Sequence, residues 1–109
     1  MTIEKLIHIE RALLEIESRY KFVLPFNDVI RLKTLLDEID VITDTFISLQ
    51  DEYALKYDDV DKLREYHDRL INENIDYDRF NAVLFISNVY ATIADDDFKQ
   101  LVDELGILK

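Results

Sequence analysis

Residues 75 to 94 read IDYDRFNAVLFISNVYATIA, and the way this stretch folds decides the fold class of the whole chain. Ile75, Asp76, Tyr77 and Asp78 alternate apolar and acidic residues, as a half-exposed strand does. Fifteen residues without a charge follow from Phe80 to Ala94, with apolar runs at Ala82 to Ile86 and Val89 to Ile93 around Ser87 and Asn88. Such runs suit two short strands, or a strand and a loop, and they also suit a buried helix, because short apolar segments are not separated by periodicity alone. We read the stretch as a small β element near residues 75–93, with the buried helix as the alternative.

Outward from that stretch the chain reads as helix. One glycine and one proline in 109 residues leave few devices for tight turns and disfavour many-stranded architectures. Before it, Asp58 or Asp59 caps a helix that presents Val60, Leu63, His67, Leu70 and Ile71 on one face. Glu65 and Arg69 form an i, i+4 pair on its wet side, and it frays near Asn72 to Asn74. After the stretch, Asp95 to Asp97 open a short helix with Phe98, Leu101, Val102 and Leu105 on one side, and Gly106 supplies the left-handed stop.

The first helix covers about Ile3 to Tyr20: Ile3, Leu6, Ile7, Leu13 and Leu14 form one apolar stripe, widened by Ile9, Ala12, Ile16 and Tyr20, and a stripe that broad calls for two neighbours. Leu24-Pro25 breaks it, Asn27 is the expected N-cap of the next helix, and Asp28 complements its dipole. That second helix has the clearest periodicity, stepping through Val29, Leu32, Leu36, Ile39, Phe46, Tyr53 and Tyr57. Unbroken, it spans about 45 Å at 1.5 Å per residue, which predicts a kink or a covering partner. The expected fold class is therefore α+β, mostly α. It comprises a long antiparallel helical hairpin, a third helix, the small β element and a short C-terminal helix, in one domain over residues 1–109.

Charge is unevenly placed. Residues 1–36 carry six basic and five acidic side chains and residues 37–109 carry seven and nineteen, so the net charge of -11 lies in the last two thirds. This field repels phosphates and anionic membranes, so neither nucleic acid nor a membrane is expected as a partner. The absence of cysteine leaves no disulfide framework or thiolate metal site. Glu4, Lys5 and His8 interrupt the first nine residues, and no apolar run is long enough to span a bilayer, so a soluble, cytoplasmic protein is expected.

No chemistry-bearing motif emerges. His8 and His67 lie 59 residues apart without metal-face spacing, and Asn74, Asp76 and Asp78 imitate a calcium loop whose sixth and twelfth positions, Arg79 and Phe85, are wrong. None of the three serines sits in a nucleophile elbow, and one glycine forbids a phosphate-cradling loop. We expect no catalytic residues, cofactor or metal. Two features of the long helix are the candidates for partner binding. Leu35, Ile42 and Leu49 recur at intervals of seven, either packing under the first helix or forming a line for a partner helix. Asp37, Glu38, Asp40 and Asp44 fall within eight residues, either a solvated face or an address for a basic partner.

The order of elements resembles a family of small uncharacterised proteins encoded by tailed bacteriophages. The resemblance runs through Leu24-Pro25 before a long helix with Val29, Leu32, Leu35, Leu36 and Ile39, then Glu52-Tyr53 and Tyr57. It continues through Leu63 and Leu70, the acidic stretch at Ile75, and Ile93-Ala94-Asp95-Asp96 before Phe98 and Leu101. The chain departs from that family in its charge-free Asn81 to Tyr90. The resemblance implies a viral origin and a non-enzymatic accessory or virion role, in the host cytoplasm or the virion. The leading expectation is a protein-binding module with a phage or host protein as partner, and a homo-oligomer is compatible with it. The competing expectation is an acidic anti-host inhibitor, of anti-CRISPR or DNA-mimic type, that occupies a basic surface of a defence protein.

Overall fold

The computed structural model describes residues 1–108, which form five helices: α1 (Ile3–Tyr20), α2 (Phe26–Lys56), α3 (Val60–Ile71), α4 (Phe80–Thr92) and α5 (Asp96–Leu105). Among the described residues there is no strand or sheet. The α+β expectation is thereby corrected to an all-helical fold. Residues 80–92, read as strands, are one helix, residues 75–78 are irregular chain, and the isolated bridge just before them joins Thr2 and Asn74. Beside that bridge the Ile75 amide donates to the Met1 carbonyl at 2.8 Å. The reason lies in spacing. Ala82, Phe85, Ile86 and Val89 are all buried, and steps of three, one and three place them on one side of a helix, whereas a strand would split them between two faces.

The 31 residues of α2 run uninterrupted, about 46 Å at 1.5 Å per residue, and set the long axis of a molecule measuring 48 × 25 × 23 Å. The radius of gyration of 15.8 Å exceeds the roughly 13 Å of a compact chain this long. Both α1 and α3 run antiparallel to α2. Thr43 meets Glu10 and Phe46 joins Ile3 along α1, while Tyr53 stacks on Tyr66 and Phe46 meets His67 along α3. The far end of α2 is therefore covered by α3. The helix begins at Phe26 rather than after an Asn27 cap, because Pro25, with its fixed φ and no N–H, itself precedes the first turn and its carbonyl accepts from Val29 at 3.1 Å.

The main core forms where α1 lies under α2, α4 and α5, and Leu6, Leu13, Ile16, Ile39, Ile86, Phe98 and Val102 are fully enclosed there. Helix ends follow from their caps. Asp59 accepts from the amides of Asp61 and Lys62, and Gly106 takes the left-handed φ of 67° that closes α5.

Asp95 fastens α5 to α1. Its carboxylate accepts from the Phe98 amide at 2.9 Å and from Arg19 at 3.4 Å, and its own amide donates to the Tyr20 hydroxyl at 3.0 Å. The Phe98 amide first, then the Tyr20 hydroxyl and Arg19, hold this carboxyl below the usual carboxylate range. A depressed folded-state pKa gives stability that is present above the ordinary carboxylate value and lost as pH falls through the folded one. Thermal melts of Asp95→Asn should accordingly keep the cap but flatten the acid limb of the stability profile, while Asp95→Ala should lower the midpoint at neutral pH as well.

Candidate functional site

A groove of about 830 Å³ opens between the first half of α2 and α4. Leu35 from α2 with Phe85 and Val89 from α4 form its floor and belong to the main core. The walls come from side chains one helical step further out, with Ile30 and Thr34 on α2 facing Leu84 and Asn88 on α4, and the connector residues Val23 and Leu24 close one end. Four apolar residues of this lining remain wet: Val23 (70% exposed), Ile30 (50%), Leu84 (48%) and Ile93 (39%).

Polar groups in the groove are mostly committed elsewhere. The Thr34 hydroxyl donates to the Ile30 carbonyl and the Thr92 hydroxyl to the Asn88 carbonyl, each within its own helix. Arg31 Nη1 donates to Asp28 Oδ1 at 3.0 Å. What is left is a mixed trough, apolar at its floor and at Val23, Ile30, Leu84 and Ile93, with Glu38, Asn81 and Asn88 among its polar lining, a composition that can receive apolar side chains from a partner.

The line Leu35, Ile42, Leu49 is not covered as a whole by α1. Leu35 is buried in the groove floor, whereas half-buried Ile42 and exposed Leu49 line a second, shallower hollow of about 290 Å³ with Val41, Thr45 and Ile75. The line thus runs along the side of α2 facing α4 and then the segment before α4.

The acidic group does not form one patch. Asp37, Glu38, Asp40 and Asp44 are all exposed, but at 100° per residue Asp37, Asp40 and Asp44 share one edge of α2 while Glu38 stands about a third of a turn away, at the groove. Asp40 and Asp44 face Glu10 of α1. Glu10 accepts from the Thr43 hydroxyl at 3.2 Å, yet burial first, and then Asp40 and Asp44, push its carboxyl above the usual range. A raised folded-state pKa means the folded chain holds its proton more tightly, so stability falls as pH climbs from the ordinary carboxylate value through the raised one. Glu10→Gln keeps an acceptor for Thr43 and should raise stability at neutral pH by less than about 1 kcal/mol, as befits a largely solvent-screened site. Denaturant titrations should show that gain shrinking as pH is lowered through the same window.

The far half of α2 and α3 also build an aromatic cluster that no motif in the sequence singles out. Tyr53 stacks on Tyr66 at 4.3 Å and lies 4.6 Å from Tyr57, with Lys56 and Lys62 over Tyr57 and Arg69 over Tyr66. The i, i+4 spacing of Tyr53 and Tyr57 hinted at one contact; the pairing with Tyr66 depends on α3 folding back. His67 is bound through Nδ1 to the Gln50 amide oxygen and leans on Phe46. Among the described residues no group of three or more His, Asp or Glu is placed to hold a metal, and no helix is long and apolar enough to cross a membrane.

No family model, curated protein or solved structure matches the chain. The resemblance to tailed-bacteriophage proteins rests on the residues quoted for it.

Proposed function

We propose that this is a protein-binding module, with no reaction of its own, that docks another protein through the groove between α2 and α4. The supporting observation is the groove itself: a trough of about 830 Å³ whose lining leaves Val23, Ile30 and Leu84 about half exposed or more and whose hydroxyls are already bonded within their helices. Large open apolar surfaces of this kind mark interaction sites. The bacteriophage accessory or virion role belongs to the same proposal and follows from the resemblance alone.

A photo-crosslinking residue at position 84 tests it. In cells that carry the protein, a discrete adduct should form from position 84 but not from exposed Glu65 on α3, and Ile30→Asp should abolish it. No groove-dependent adduct, or turnover of a metabolite by the purified chain, would overturn the reading.

The inhibitor reading draws on a different observation, the crowding of Asp40 and Asp44 against Glu10. It predicts binding to a basic surface that weakens steeply with salt and is lost on neutralising Asp37, Glu38, Asp40 and Asp44. Groove docking predicts no loss of binding as salt rises and survival when Asp37, Asp40 and Asp44, which lie outside the groove, are neutralised with Glu38 kept.

A further inference from the structure

We infer that the occupant of the groove is a second copy of this chain, in a two-fold dimer. The inference rests on the docking reading and names its partner. Three observations carry it.

The first is charge. Two chains of net charge -11 repel over most of their surfaces, but the groove lining holds few charges: Asp28 and Arg31, which pair with each other, and Glu38 at the edge. Residues 20–36 carry three basic side chains and one acidic, and residues 80–94 carry none. Contact of groove with groove is the approach that keeps the acidic regions at the periphery.

The second is shape. Next to the hollow, the same connector supplies a projection: Phe22, adjoining Val23 in the lining, is 95% exposed, and Phe26 is 72% exposed at the start of α2. A surface with both a trough and an adjacent aromatic knob is self-complementary, as a two-fold contact requires, since each copy's knob meets the other's trough.

The third is area. A stable interface takes about 800 Å² from each partner. Phe22 and Phe26 leave roughly 300 Å² of aromatic surface in water, and the wet lining residues of the groove extend it toward that figure.

Sedimentation velocity on the purified full chain, over a concentration series and at low and high salt, tests the inference. The expected species has twice the 13.0 kDa chain mass and becomes tighter as salt rises, because screening removes repulsion between acidic peripheries while the contact is apolar. Leu84→Asp and Ile30→Asp, each at a half-exposed site, should weaken it more than about tenfold with unchanged circular dichroism. Val60→Asp, 71% exposed at the start of α3, should leave the dimer intact. A chain that stays monomeric throughout the series, or a dimer indifferent to both groove substitutions, overturns the inference. If the chain is monomeric but still gives a groove-dependent adduct with a different protein, the second copy is excluded and groove docking stands; if neither dimer nor adduct forms, both fall.

Discussion

Phe98→Ala is expected to cost about 3–5 kcal/mol, the largest loss of any single truncation in this fold. Phe98 is fully buried, packs edge-on against Tyr20 at 5.7 Å between ring centroids, and its amide is held by the Asp95 cap. Truncation removes the aromatic contact and leaves a cavity at the one place where α1 and α5 are both pinned. Urea unfolding followed by far-ultraviolet circular dichroism checks it; a loss under 1 kcal/mol would mean that α5 contributes little to the core.

The second large effect separates helix from strand within α4. Ile86→Ala should cost about 2–5 kcal/mol, since Ile86 is fully enclosed, while Leu84→Ala at a half-exposed groove position should cost well under half as much in the monomer. In a strand residues 84 and 86 would share a face and respond alike. Paired denaturation curves at a concentration low enough to exclude self-association give the comparison, and equal losses would contradict the helix.

That contrast also explains what could be read from the residues. The helices α1, α3 and α5 were legible because each has one apolar face and recognisable punctuation, with Asp59 and Asp95 as caps and Gly106 as a stop. In α4 the inner face of Ala82, Phe85, Ile86 and Val89 is joined by Phe80 and Leu84 outside it and by Ile93 just past its end, so the helical period was blurred. Leu84 and Ile93 are the very residues that line the open groove, so the feature that proposes a function also concealed the fold.

The candidate site was legible only in part for a related reason. Leu35, Ile42 and Leu49 could be recognised as a line, but which elements flank that line depends on where α4 and the segment before it pass, and nothing in α2 encodes that. Four acidic residues within eight looked like a single patch in sequence, yet helix rotation carries Glu38 to the groove and leaves Asp40 and Asp44 against Glu10. Val23 and Ile30 carried no signal before α4 was known to lie opposite them.

The central claim is that residues 80–92 form a helix whose inner face closes the core and whose outer face opens a groove with α2. Backbone chemical shifts and nuclear Overhauser contacts across this segment test it most directly. The account predicts helical Cα shifts from Phe80 to Thr92, strong sequential amide–amide contacts, and side-chain contacts from Val89 and Phe85 to Leu35. Extended shifts with cross-strand contacts between residues 75–78 and 82–93 would contradict it.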